Sequence, residues 1–278
     1  MDEESLEGIA KKQEDMKQWE NAYETYCQLY SKNPSDDILS KMAWCASRAN
    51  LLTQSIQHYT QLTINQPQIS KWYYGVGYQY YMQKNWKEAS EWFKKALVLY
   101  PDYFVVKYRL GYSLRQLCGT KQVLSRSEFW QALKQFDECD AIWDKMSAEN
   151  QSKNASVYAD ICYHKGKMLF ERKNLLRAAE YLNKSLEIKP VDNDDCKYQL
   201  AKVYYDLDEP EKALAALPNN SHSYYVTELN ISILVKLGEL EKAASLLTKH
   251  LQQRNKDYLH RELAEIYLKL EKKRESFQ

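Results

Sequence analysis

Tyr74, Tyr78 and Tyr81 are spaced i, i+4 and i+7, which places three phenol rings on one stripe of a helix. Such a stripe offers flat apolar faces edged with hydroxyls. That is the chemistry of contact, with a peptide side chain or a stacked base, rather than of bond making. The stripe is part of a larger concentration: fourteen aromatic residues fall within the 41 residues from Trp72 to Tyr112, more than local helix packing absorbs. The charge around them is lopsided. Residues 1–37 carry a net −6 and residues 136–278 a net −2, whereas 38–135 carry +9, with thirteen Lys and Arg against Glu88, Glu91, Asp102 and Glu128. The overall charge of +1 therefore conceals a basic middle section suited to an anionic partner.

Groups that make or break bonds are not arranged to do so. His58, His164, His222, His250 and His260 show no metal-ligand spacing, and His164 near Cys162 lacks further ligands, so it reads as ordinary helix surface and core. Gly166-Lys167 has no upstream glycine for a phosphate loop, and Gly75 and Gly77 lack the third glycine of a dinucleotide loop. Asp192, Asp194 and Asp195 form an acidic cluster without the glycine and terminal glutamate of a calcium loop. No nucleophile, base and orienting acid stand in a recognisable order. The sequence thus predicts a non-enzyme with no cofactor and no metal site. Six scattered cysteines (Cys27, Cys45, Cys118, Cys139, Cys162, Cys196) without a CxxC pair read as reduced thiols, which predicts a cytoplasmic location. No apolar run of about 18 residues is present, so no membrane span is expected.

The elements that must carry these residues are helices. With seven glycines and six prolines in 278 residues, the chain is too poor in turn formers for a sandwich, a barrel or a dinucleotide-binding sheet. Pro34, Pro67 and Pro101 are spaced by 33 and 34 residues, and Pro190 recurs in the same context. Upstream of these prolines lie amphipathic segments such as QWENAYETYCQLY, NWKEASEWFKKALVLY and NLLRAAEYLNKSLEI. Each carries a small residue (Ala22, Ala89, Ala178) four before a bulky one (Tyr26, Phe93, Leu182). A second apolar-periodic segment precedes each: Val76, Gly77 and Tyr80 fall where Leu110, Gly111 and Leu114, then Leu200, Ala201 and Tyr204, stand later.

This pattern resembles the tetratricopeptide repeat, a helix–turn–helix unit of 34 residues. Its clearest copy runs from Ser70 to Asp102, with Tyr73, Val76, Gly77, Tyr80, Ala89, Phe93, Ala96 and Pro101 in order. The expected fold is all-α, a right-handed superhelical solenoid of antiparallel helix pairs spanning 1–278. Repeats are expected to start near residues 3, 36, 70, 104, 159, 194, 224 and 257: about seven full repeats and a truncated eighth. The fourth, 104–158, is irregular. It holds an insert over 118–126, Ser125 with Glu128 is placed as a capping box, and its second helix is expected to run on through AIWDKMSAEN. The sixth ends in a turn-rich LPNNSHS junction. Because the eighth stops at Phe277-Gln278 without a polar cap, the chain reads as a fragment of a longer protein.

The resemblance implies that the first helix of each repeat lines a concave groove. Carried onto this sequence, the partner-binding side comprises Trp44, Arg48, Lys71, Tyr74, Tyr78, Tyr81, Tyr108, Tyr112 and Arg115. It continues through Tyr163, Lys167, Phe170, Tyr198, Lys202 and Tyr205. Any one of these tyrosines serves equally as core; the cluster as a whole reads as groove. Glu7, Ser40 and Tyr74 stand where family members that clamp a C-terminal carboxylate carry lysine, so a chaperone-tail receptor is not expected. Three readings follow. The first is a scaffold clasping a partner protein or peptide segment, an acidic one suiting the basic section. The second is a surface for single-stranded RNA or DNA, with bases on Tyr74, Tyr78, Tyr81, Tyr108 and Tyr112 and phosphates on Arg48, Lys71 and Arg115. Asp160, Glu171, Asp195 and Asp206 oppose it further along. The third is an accessory domain of an enzyme whose catalytic part lies beyond residue 278.

Overall fold

Helices joined by short turns make up the chain. The computed structural model describes residues 5–120, 122–191, 193–218 and 223–275, with side chains to residue 271. Lys121 of the insert, Asp192 of the acidic cluster, junction residues 219–222 including His222, and Phe277 and Gln278 lie outside the described residues. Two compact units divide the chain, Met1–Met146 and Ser147–Gln278.

In the first unit, helices pack as consecutive pairs, each pair also packing on the next. These are α1 (Leu6–Asp15) with α2 (Trp19–Lys32), α3 (Asp36–Arg48) with α4 (Leu52–Asn65), α5 (Ser70–Met82) with α6 (Trp86–Leu99), and α7 (Phe104–Leu117) with α8 (Ser127–Trp143). The second unit continues with α9 (Ala148–Glu171) and α10 (Leu175–Ile188), α11 (Asp194–Asp206) and α12 (Pro210–Ala216), then α13 (Tyr224–Lys236) and α14 (Leu240–Gln253). Helix α15 (Asp257–Glu275) packs on α14. Among the described residues there is no strand, and no helix is long and apolar enough to cross a membrane.

The sequence explains where these helices stop. α2, α4, α6 and α10 each end two residues before Pro34, Pro67, Pro101 and Pro190, because a proline lacks the N–H that would extend the ladder and also forces the preceding residue out of the helical region. Within a pair, the reversal is a three-residue turn whose central residue has a left-handed backbone: Lys17, Asn50, Lys84, Lys173, Asp208 and Gly238, with φ between 57° and 74°. The residue after it donates back to the helix, as in Leu51 N–H to Ala46 C=O and Asn174 N–H to Leu169 C=O, at 2.8 and 2.9 Å. Five of these six positions are not glycine, which is how so many reversals coexist with so few glycines. Each non-glycine there costs roughly 1 kcal/mol of backbone strain.

Close approach within a pair depends on small residues facing large ones. A Cβ on Gly77 would lie 2.8 Å from the Phe93 ring, and one on Gly166 2.7 Å from the Leu182 side chain; Phe93 and Leu182 are themselves wholly buried.

Around the irregular fourth pair the structure departs from expectation. Helix α8 ends at Trp143 rather than running on, and a new helix, α9, starts at Ala148, well before residue 159. The cause is Ser147, whose hydroxyl accepts from the Asn150 N–H at 3.4 Å and so opens a new helix. The capping box is not formed. Ser125 closes a 3-10 turn (Val123–Ser125), donating to Gln122 C=O at 2.8 Å, and α8 begins at Ser127 without a side-chain cap.

Candidate functional site

A cleft of about 610 Å³ opens between α3, α5 and α7 of the first unit, within the usual range of ligand sites. Helix α3 contributes Trp44, Ser47 and Arg48, which share a face at i, i+3 and i+4. Helix α5 contributes Lys71, Trp72, Tyr74, Gly75, Tyr78, Gln79 and Met82, six of them along a single stripe. Tyr59, Asn50 and Arg109 complete the lining, in which no acidic residue takes part. Gln79, only 1% exposed, donates to the Ser47 hydroxyl at 3.0 Å and ties α5 to α3. Trp44, by contrast, is 49% exposed where it lines the cleft.

Three cations stand in this cleft, each from a different helix. The Arg48 guanidinium lies 5.2 Å from the Trp19 ring and 5.7 Å from the Trp44 ring; the Lys71 ammonium lies 4.1 Å over Trp72. Arg109 sits 4.6 Å from Tyr78 and 5.0 Å from Tyr81, and its Nε donates to the Tyr74 hydroxyl at 3.2 Å. None of the three pairs with a carboxylate among the described residues; ion pairs of this unit include Lys41–Glu7, Lys107–Glu138 and Lys134–Glu138. Contact with an aromatic face stabilises a cation by about 0.5–2 kcal/mol but leaves its net charge uncancelled. The cleft is therefore positively charged.

The tyrosines form a pile of rings rather than a row of free faces. Tyr74 and Tyr78 stack with centroids 5.9 Å apart, Tyr78 and Tyr81 at 6.4 Å and 12°. Tyr81 packs on Trp86 and Tyr112, and Tyr108, 8% exposed, packs on Tyr112. Burial pushes the Tyr81 hydroxyl up to about 12 and raises that of Tyr74, against the opposing pull of Arg109. Of the residues placed on the groove from sequence in this unit, Trp44, Arg48, Lys71, Tyr74 and Tyr78 line the cleft together. Tyr81, Tyr108 and Tyr112 stand behind it in the ring pile. Arg115 reaches to the Gly119 carbonyl at 3.0 Å, past the end of α7.

Arg109 is the residue the sequence reading missed. It stands 34 residues after Gly75, in the slot where a side chain points back at the preceding pair. Gly75 leaves that slot to the Tyr59 ring, whereas Arg109 fills it and reaches Tyr74, Tyr78 and Tyr81. The repeat period was the signal that held this information.

In the second unit a smaller cleft of about 320 Å³ gathers Tyr163, Lys167 and Tyr198 with Asp194, Asp195 and Tyr225. Lys167 donates to the Tyr163 hydroxyl at 3.3 Å, and Asp194 pairs with Lys197 at 3.6 Å. Lys202, near the rings of Phe170 and Tyr198, and Tyr205, under Lys236 at 4.2 Å, do not line this cleft, and neither does Phe170.

Residues 70–103 match the family model of the tetratricopeptide repeat. Solved structures agree over far more of the chain. A tetratricopeptide repeat protein from Parabacteroides merdae ATCC 43184 is 16% identical with a TM-score of 0.57, covering 95% of this chain and 97% of that one. The pilF protein of Pseudomonas aeruginosa is 14% identical with a TM-score of 0.59, covering 82% and 96%. Residues 70–103 are thus a tetratricopeptide repeat, and the chain has the fold of tetratricopeptide-repeat proteins. Its helix pairs place it in the all-α superhelical repeat class, and the cleft between α3, α5 and α7 is built by the first helices of three successive helix pairs. Also similar in fold is YrrB, described as a tetratricopeptide protein with an unusual peptide-binding site, at 19% identity and a TM-score of 0.54 over 78% of this chain and 97% of that one. No curated protein matches the chain in sequence.

Proposed function

We propose that this protein is a non-catalytic scaffold that holds an acidic segment of a partner protein between α3, α5 and α7. The observation carrying this reading is the trio Arg48, Lys71 and Arg109, set on aromatic faces in an acid-free cleft and without carboxylate partners among the described residues. A carboxylate entering there gains charge-assisted hydrogen bonds, and an apolar neighbour on the same segment gains the Trp44 face. YrrB, with its stated peptide-binding site on a similar fold, supports a peptide occupant. The ring pile speaks against single-stranded nucleic acid: base stacking needs free faces, and Tyr74, Tyr78 and Tyr81 already face one another or Arg109. Six cysteines free of disulfides suit a cytoplasmic scaffold.

The test is fluorescence anisotropy with a labelled peptide of alternating glutamate and phenylalanine and, separately, a labelled mixed-sequence single-stranded RNA, each at low and moderate salt. The expected result is saturable peptide binding that weakens with salt, and RNA binding that is much weaker. Tight RNA binding with a steep salt slope and no peptide binding would overturn the proposal in favour of nucleic acid.

A further inference from the structure

A second cleft, of about 440 Å³, adjoins the first at the turns joining α1 to α2 and α3 to α4. Arg48 and Asn50 line both. We infer that the bound segment is extended and runs from the α3–α5–α7 cleft over Arg48 into this second cleft; the inference rests on the peptide reading above.

The second cleft is chemically different from the first. Lys17, Gln18, Trp19 and Asn21 line it, together with one acid, Glu20. Lys17 is exposed and has no carboxylate partner among the described residues, so with Arg48 it leaves the cleft net positive despite Glu20. The carboxamides of Gln18, Asn21 and Asn50 take part in no hydrogen bond among the described residues. A carboxamide both donates and accepts, which matches the alternating N–H and C=O of an extended peptide backbone. Arg48 lines both regions, its guanidinium 5.2 Å from the Trp19 ring and 5.7 Å from the Trp44 ring. It is thus placed to hold a carboxylate in the middle of the segment. The first cleft then selects aromatic and acidic side chains, while the second holds backbone and one further acid on Lys17. The occupant is accordingly an extended acidic segment of a partner protein, longer than the first cleft alone takes.

The experiment uses two labelled peptides of alternating glutamate and phenylalanine, of about four and about twelve residues, since an extended chain advances about 3.3–3.6 Å per residue. With the full chain, the longer peptide is expected to bind about tenfold more tightly, and Lys17→Glu is expected to remove that advantage while leaving the short peptide unaffected. Lys84→Glu changes the charge equally at the α5–α6 turn, outside both clefts, and is expected to leave the advantage in place; circular dichroism checks that each variant keeps its helicity. If Lys84→Glu acts as strongly as Lys17→Glu, the advantage is diffuse electrostatics and the inference falls. Equal affinity of the two peptides for the unmodified protein would overturn the extended path but leave the first cleft standing. Binding of neither peptide would remove the first cleft's peptide reading and this inference together.

Discussion

The two units use the same helix-pair architecture, but their clefts differ in whether acids stand beside the cations. In the second unit several basic side chains find acids, Lys189 with Asp160, Lys173 with Asp206, Lys236 with Asp208, Lys212 with Glu209 and Lys242 with Glu239, at 2.7–3.8 Å, while Lys184 and Lys202 rest on the rings of Tyr158 and Phe170. Its cleft mixes Lys167 with Asp194 and Asp195. In the first unit, Arg48, Lys71 and Arg109 lean on aromatic rings, and no acid lines their cleft. Exposed ion pairs contribute little to stability, so the pairing in the second unit matters mainly for potential: it cancels charge locally. The first unit leaves charge available to something else. One repeat fold can thus carry one cleft whose lysine has acids beside it and another whose cations have none.

The sharpest way to break that contrast is charge reversal in each cleft. Arg48→Glu combined with Lys71→Glu is expected to weaken the glutamate–phenylalanine peptide about 100-fold or more, measured by anisotropy, because it removes two cations and introduces repulsion. Lys167→Glu in the second unit is expected to leave that affinity within about twofold, because Lys167 does not line the first cleft. Comparable losses from both would mean that binding follows overall charge and not the first cleft.

A smaller effect tests what the units share. Gly77→Ala in the first and Gly166→Ala in the second are each expected to destabilise the protein by about 1–3 kcal/mol in chemical denaturation, since the added methyl meets the buried Phe93 or Leu182, and the gain of about 1 kcal/mol in helix propensity does not compensate. Stabilisation by either substitution would show that its pair repacks and that close approach is not what glycine supplies there.

These glycines also mark what sequence made legible. Gly77 beside Val76 in the first-helix pattern, and Ala178 four residues before Leu182 in the small-then-bulky pattern, are local facts repeated at a fixed period, so helix pairing and the proline stops follow from reading along the chain. The cleft is partly legible for the same reason: Trp44 with Arg48, and Lys71 with Tyr74 and Tyr78, lie on helical stripes that a wheel displays. Arg109 was not found that way because its partners are on the neighbouring helix, one repeat back, and a stripe of α7 alone gives no sign of Tyr74. Tyr81, Tyr108 and Tyr112 share their helices' groove-side stripes yet turn into the ring pile, since each meets an aromatic from another element or turn that only packing reveals. The irregular fourth pair shows the same limit: Ser125 and Glu128 have the spacing of a capping box, but Ser125 is spent on a 3-10 turn, and the serine that opens a helix is Ser147.

Hydrogen exchange read by mass spectrometry, with and without saturating glutamate–phenylalanine peptide, tests the central claim most directly. The account predicts slowed exchange in the peptides covering Asp36–Arg48, Ser70–Met82 and Phe104–Leu117, with no change between α9 and α15. Protection confined to the second unit, or binding that leaves Ser70–Met82 unchanged, would contradict it.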